Sequence, residues 1–149
     1  MNDLRELYQE VILDHSRHPR NFREMAEANR QAEGYNPLCG DRATVYLHVE
    51  DDVVQDVSFK GVGCSISTAS ASMMTEALRG KSVAEAKGLF ERFHDLVTAE
   101  PGRGAEGAAL GKLAVFSGVC EFPMRVKCAS LAWHTMKAAL EGAPKATTE

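Results

Sequence analysis

Two stretches of alternating residues restrict the fold of this chain more than any other feature. From Arg42 to Glu50 apolar side chains alternate with polar ones, and the alternation resumes from Val53 to Lys60. A period of two residues is typical of a strand with one buried face. Because only Asp51-Asp52 separates the two stretches, they predict an antiparallel hairpin. A third strand before Asn36 is indicated weakly.

Helical signals surround the hairpin. A first helix is predicted by an apolar stripe from Leu4 to Ile12 and is ended by Pro19, and a second spans Ile66 to Arg79 and is closed by Gly80. A capping box at Ser82–Glu85 opens a third helix, and Pro123 suits the start of a last one. The glycine-rich residues 101–111 predict a flexible segment, and the tail from Gly142 is expected to fray. The predicted fold is α+β: one domain over residues 1–149, with a small antiparallel sheet of about three strands covered by helices.

Composition narrows the classes of function. The 149 residues carry a formal charge of −4 and a pI near 5.7, which disfavours nucleic acid as a partner because phosphate binding needs clustered cations. The chain shows no secretory signal pattern and no apolar run long enough to span a bilayer, so we expect a cytoplasmic protein without a membrane partner. In a reducing compartment, four cysteines indicate metal ligands or reactive thiols rather than disulfides.

Three of the four cysteines lie in sequence contexts that suit a metal site. Cys39 stands in a turn directly before the first hairpin strand, and Cys64 stands in a tight glycine loop directly after the second. Antiparallel pairing brings those two strand ends to one edge of the sheet, so we expect the two sulfurs to lie close together. Cys128 lies early in the last helix, between cationic Lys127 and Ala129. Cys120 has no such context, and a lone cysteine of this kind is usually a small buried hydrophobe.

The surroundings of these thiols favour the thiolate, which is both the nucleophile and the metal ligand. Gly40 and Gly63 allow sharp turns beside Cys39 and Cys64. The positive end of the Ile66 helix lies next to Cys64, and Arg125 and Lys127 act in the same direction near Cys128.

Asp41 stands two residues from Cys39, on the same side of an extended segment. Three thiolates and one carboxylate suit a tetrahedral zinc site, and the soft ligands also suit iron–sulfur chemistry. A purely structural zinc site remains an alternative at this point. A metal hydrolase or base deaminase is disfavoured, because the chain has neither a His-Glu-x-x-His nor a His-x-Glu with Pro-Cys-x-x-Cys pattern.

Four segments, taken in order along the chain, resemble the SufU branch of the IscU/NifU-N-terminal family. They are Leu7-Tyr8-x-x-Val11-Ile12-Leu13-Asp14-His15 with Pro19-Arg20-Asn21, then Asn36-Pro37-x-Cys39-Gly40-Asp41, then Gly61-x-Gly63-Cys64-Ser65-Ile66-Ser67 with Ala69 to Met74, and finally Phe122-Pro123-x-Arg125-Val126-Lys127-Cys128-Ala129.

The resemblance implies Cys39, Asp41, Cys64 and Cys128 as metal ligands and a pyridoxal-phosphate cysteine desulfurase as the sulfur donor. IscU-type scaffolds carry a histidine immediately before the last cysteine, where this chain has Lys127, and they lack the glycine-rich insertion that resembles the stretch before Gly118. Their Leu-Pro-Pro-Val-Lys chaperone motif is also absent, so no dedicated Hsp70-type chaperone is expected.

Two functions therefore compete. In the first, the chain is a zinc-dependent sulfurtransferase: a side chain of the docked desulfurase replaces Cys39 as a ligand, and Cys39 accepts persulfide sulfur and passes it to downstream assembly proteins or a scaffold. In the second, the same residues bind iron and sulfide and build a [2Fe–2S] cluster for transfer.

Overall fold

The computed structural model describes residues 2–37, 40–98, 105–143 and 145–147. Its helices are α1 (Asn2–Arg17), α2 (Ser65–Leu78), α3 (Val83–Thr98), a 3-10 helix (Ala105–Glu121) and α4 (Pro123–Leu140). Its strands are β1 (Arg30–Asn36), β2 (Asp41–Glu50), β3 (Val53–Val62) and β4 (Lys145–Thr147). This α+β arrangement confirms the predicted fold class.

The sheet has the strand order β3-β2-β1-β4. β2 and β3 pair antiparallel and form the predicted hairpin. Asp51 and Asp52 turn the chain with φ of 53° and 61°, which is the left-handed backbone that a two-residue hairpin loop requires. The register places Arg42 opposite Val62, so the start of β2 and the end of β3 lie at the same edge of the sheet.

The helices cover one face of the sheet and enclose an apolar core. The inward residues of β2, including Val45 and Leu47, are fully buried. Trp133 of α4 stacks on Phe93 of α3 with ring centroids 4.5 Å apart, and both rings are fully buried. Burial of aromatic rings of this size is a major favourable term in folding, and it fixes α4 in position across the sheet.

Buried hydroxyls tie α2 to α4. Ser70 of α2 donates a hydrogen bond to the carbonyl oxygen of Ala129 at 2.5 Å, and it accepts one from the indole nitrogen of Trp133 at 3.1 Å. Because buried polar groups are costly unless paired, these bonds favour one register between the two helices. Cys64, at the start of α2, and Cys128, in α4, are therefore held on a common frame.

Local signals explain the helix boundaries. The predicted capping box forms: Glu85 N donates to Ser82 Oγ, and Ser82 N donates to Glu85 Oε1, each at 3.0 Å. Pro123 occupies the first turn of α4, where its missing N–H has no intrahelical role. Gly80 follows α2 with φ 85°, which is the left-handed backbone conformation that commonly ends a helix.

Two segments differ from the sequence-based expectation. The sequence predicts a frayed tail from Gly142, but Lys145–Thr147 forms β4, which pairs parallel with β1 from Glu33 to Tyr35. The sequence also predicts a flexible segment over residues 101–111. Residues 101–104 lie outside the described ranges, and from Ala105 the chain forms 3-10 turns with a kink at Gly111, whose φ is 58°. Among the helices described, none combines the length and apolar character needed to cross a membrane.

Candidate metal centre

The candidate centre lies where the hairpin's open edge meets α2 and α4. Asp41 opens β2, and Cys64 follows β3 by two residues and caps the N-terminus of α2. Cys128 lies in the second turn of α4. The oxygen of Asp41 and the sulfurs of Cys64 and Cys128 all lie within 4.8 Å of one another. The fold thus brings together three of the four positions that the sequence suggests as ligands.

These three residues differ in their access to solvent. Asp41 is 3% exposed and Cys128 is 4% exposed, whereas Cys64 is an exposed residue. The centre is therefore closed on the side of the sheet and α4 and open on the side of Cys64. A metal held here would be reachable by a second protein without unfolding of the core.

One oxygen of the Asp41 carboxylate accepts a hydrogen bond, and the other has no hydrogen-bond partner among the described residues. Cys64 N donates to Asp41 Oδ1 at 3.2 Å. Asp41 Oδ2 is buried and has no hydrogen-bond partner among the described residues. A buried carboxylate oxygen without a partner is costly, and a cation bound between Oδ2 and the two sulfurs would remove that cost. The donor set therefore fits a thiophilic metal ion.

The start of α2 supports negative charge on Cys64. Cys64 is the N-cap, and its sulfur accepts a hydrogen bond from Ser67 N at 3.5 Å. The first turn of this helix has no acidic residue, so nothing there offsets the positive end of the helix dipole. Both features suit a sulfur that carries negative charge as a metal ligand.

Of the other suggested site residues, Cys39 lies outside the described part of the chain, as does the side chain of Cys120. Gly40 has φ 73°, which explains the glycine there. Arg125 places its guanidinium 5.0 Å from the ring centroid of Phe122, and Lys127, next to Cys128, is half-buried.

Sequence reasoning gave no role to Asn36, which the structure places at the centre. Asn36 is 0% exposed, and its Nδ2 donates to Cys128 Sγ at 3.7 Å. The sequence held one hint of a role for Asn36, since this residue begins the segment that contains Cys39 and Asp41. Nothing in a single sequence indicates that its amide reaches a sulfur so far along the chain.

An apolar groove of about 580 Å³ adjoins the centre. It runs between α1, the first turn of α2 and the start of α4, and its lining includes Tyr8, Ile12, Ile66, Phe122 and Arg125. Ile66 is two residues from Cys64, and Arg125 is three residues from Cys128. The lining of the groove thus includes near neighbours in sequence of two residues of the centre.

Gly63→Ala is expected to weaken metal binding without unfolding the protein. A Cβ at Gly63 would lie 3.1 Å from Asp41 Oδ1 and 3.0 Å from Ser67 Oγ, so the carboxylate must shift. Displacing a ligand in this way should lower zinc affinity about tenfold or more, measured by competition with a chromophoric chelator. Gly88→Ala is the matched control, because a Cβ there meets nothing within 4 Å. Unchanged zinc affinity in Gly63→Ala would contradict the expectation that this contact disturbs the centre.

Comparison with protein-family models identifies the family of the chain. Residues 7–142 match the model described as the NifU-like N-terminal domain. The match runs from within α1 to just past the end of α4 and includes every residue of the candidate centre.

Curated relatives and solved structures resemble the chain over most of its length. It is 38% identical over 144 residues to "Iron-sulfur cluster assembly scaffold protein IscU" of Streptococcus pyogenes serotype M1, covering 95% of this chain and 87% of that protein. It is 38% identical over 135 residues to "Zinc-dependent sulfurtransferase SufU" of Bacillus subtilis (strain 168), covering 91% and 90%. A crystal structure from Fervidobacterium islandicum AW-1, described as a putative iron–sulfur cluster assembly scaffold protein for the SUF system, superposes with a TM-score of 0.80 at 34% identity, covering 91% of this chain and 97% of that one.

Proposed function

Because the chain belongs to the NifU-like N-terminal domain family, we propose that it is a zinc-dependent sulfurtransferase of iron–sulfur cluster assembly. It accepts sulfane sulfur from a pyridoxal-phosphate cysteine desulfurase and passes it to downstream assembly proteins. The observation that carries the proposal is the convergence of Asp41, Cys64 and Cys128 around a buried carboxylate oxygen that has no hydrogen-bond partner in the described part of the chain.

The residues that would hold zinc are Asp41, Cys64 and Cys128, with Cys39 as the fourth ligand. Three sulfurs and one oxygen suit the tetrahedral preference of this ion. When bound, zinc would keep the thiols of its ligands ionised near neutral pH. The chain itself holds these groups at an edge of the sheet that is closed on the side of α4 and open to solvent on the side of Cys64.

Cys39 is the residue that accepts sulfur. It stands between Pro37 and Gly40, where the sequence predicts a turn, and Gly40 N donates a hydrogen bond to Asn36 O at 2.8 Å. Cys64 caps α2 and Cys128 lies inside α4, so displacing either sulfur breaks a hydrogen bond, that from Ser67 N or that from Asn36 Nδ2. A turn residue can leave its ligand position at lower cost.

The transfer is a thiolate exchange on a persulfide. The Cys39 thiolate attacks the terminal sulfur of the desulfurase persulfide, and a new S–S bond forms on Cys39. The S–S bond on the desulfurase breaks, and its cysteine leaves as a thiolate. The transferred sulfur keeps both its oxidation state and its proton, so the step requires neither an oxidant nor a reductant.

The scaffold function is the second candidate, and the name of one relative supports it. Of the two curated relatives at 38% identity, one is named a scaffold and the other a zinc-dependent sulfurtransferase. Lys127 supports the sulfurtransferase, because scaffolds of the IscU type resemble this chain but carry a histidine at that position. Both functions use the same ligand positions.

The proposal is tested by measuring alanine formation by the cognate cysteine desulfurase, with cysteine as substrate. Zinc-loaded protein should stimulate the rate, metal-stripped protein should not, and added zinc should restore the stimulation. Cys120→Ser, which leaves the suggested ligands intact, should behave as the parent does. Absence of stimulation by the zinc-loaded protein would contradict the proposal.

A further inference from the structure

The amide of Asn36 joins two distant parts of the candidate centre. Asn36 is the last residue of β1 and pairs across the ladder with Asp41. Its side chain is fully buried, and Nδ2 lies 3.7 Å from the sulfur of Cys128 on α4. Its carbonyl oxygen accepts the hydrogen bond from Gly40 N that closes the turn before Asp41. One residue thus contacts the turn, the ladder and the buried thiol.

Each described ligand residue accepts a hydrogen bond within the centre, but the donors differ in kind. Cys64 Sγ accepts from the backbone of Ser67, and Asp41 Oδ1 accepts from the backbone of Cys64. The bond to Cys128 Sγ comes from a side chain, that of Asn36. A side chain that is not itself a ligand therefore contributes to the orientation of Cys128, and substitution can change that contribution.

We propose that Asn36 is a positioning residue of the metal centre, whose amide N–H orients Cys128 Sγ for coordination and stabilises its negative charge. This inference rests on the proposed metal-binding function. Hydrogen bonds from neighbouring groups orient metal ligands and tune the charge that they carry. A carboxamide donates through its nitrogen and accepts through its oxygen, and a thiolate requires the donor.

The chemistry of the position explains why the residue is asparagine. Aspartate has the same shape, but it would place an acceptor and a negative charge beside the thiolate. Serine adds no charge, but its hydroxyl is too short to reach across from β1 to α4. The two substitutions therefore separate the addition of charge from the simple loss of the hydrogen bond.

Zinc affinity of the purified full-length variants tests the proposal, with cobalt absorption as a second readout of ligand geometry. Asn36→Ser should lower zinc affinity about 10–100-fold, and Asn36→Asp should lower it further. Both should shift the sulfur-to-cobalt charge-transfer bands of the Co²⁺ form. The matched control is Asn29→Asp, because the Asn29 amide bonds only the backbone of Val49 among the described residues. It should leave zinc affinity and the cobalt spectrum unchanged.

Unchanged zinc affinity and cobalt spectra in both Asn36 variants, together with lower stability of the metal-free protein, would overturn the proposal and leave Asn36 a structural role only. A parent protein that binds no zinc would instead contradict the proposed function, and this inference with it.

A measurement on the unaltered protein covers the case in which the Asn36 variants fail to fold. With an NMR-active cadmium isotope in the centre, a proton that donates to a coordinating sulfur shows a scalar coupling to the metal. Correlations are expected from the side-chain amide of Asn36 and from the backbone amide of Ser67. Correlation from Ser67 without one from Asn36 would overturn the proposal.

Discussion

Cys39→Ala is expected to abolish both the stimulation of the cysteine desulfurase and the transfer of sulfur to this chain. Sulfur transfer needs a thiolate that is accessible and can leave its ligand position. The sequence predicts a turn at Cys39, whereas Cys64 caps α2 and Cys128 is buried in α4. The protein is incubated with desulfurase and cysteine and then alkylated, and the added sulfur is mapped by mass spectrometry.

Cys120→Ala provides the control for that experiment, because it removes a thiol that is not among the suggested ligands. It should retain both the stimulation and the mass of one added sulfur atom on Cys39. Sulfur mapped to Cys64 or Cys128 would identify a different acceptor. Full stimulation by Cys39→Ala would contradict a covalent role for this residue.

Cys64→Ser and Cys128→Ser should each lose zinc and the stability that zinc confers. The two sulfurs join the start of α2 and the second turn of α4 at the edge of the sheet, so metal binding stabilises the folded chain. At a thousandfold excess over its Kd, a bound ion stabilises by about 4 kcal/mol, equivalent to roughly 10 °C in Tm for a chain of this size. Calorimetry with and without zinc should show this rise in the parent and none in either variant.

The assignment of ligands depends on how two other variants behave in the same experiment. Cys120→Ser should keep the zinc-dependent rise in Tm, and Asp41→Ala should reduce it. If Cys120→Ser loses the metal while Asp41→Ala keeps it, the centre has four cysteine ligands and Asp41 is not one of them.

The hairpin and the location of the centre could be predicted because their signals are local. The alternation over β2 and β3 and the two aspartates between them specify the pairing, and the pairing alone brings the start of β2 to Cys64. The capping box at Ser82–Glu85 is equally local. Each of these features depends on residues within a few positions of one another.

The sequence pattern indicates β1 only weakly, because the buried residues of this strand are small or polar. Its inward positions are Ala32, Gly34 and Asn36, which give no hydrophobic alternation. Gly34 is required by packing, since a Cβ there would collide with Thr135 of α4. β4 is three residues long and gains its order from pairing with β1, so a sequence pattern gives no indication of it.

The role of Asn36 could not be predicted for a related reason. Its amide bonds a sulfur 92 residues away, and this contact exists only after β1 and α4 have packed. The 3-10 helix from Ala105 likewise overrides the local preference of its glycines, because it packs against α3 through contacts such as Phe116 on Phe93 at 5.7 Å.

Metal and sulfide analysis of protein purified both aerobically and anaerobically tests the central claim most directly. Because the described residues contain a single cluster of suggested ligands, we expect about one zinc per chain in both preparations, with no acid-labile sulfide. A brown protein with near-stoichiometric iron and sulfide, and without zinc, would contradict the sulfurtransferase and identify the chain as a scaffold.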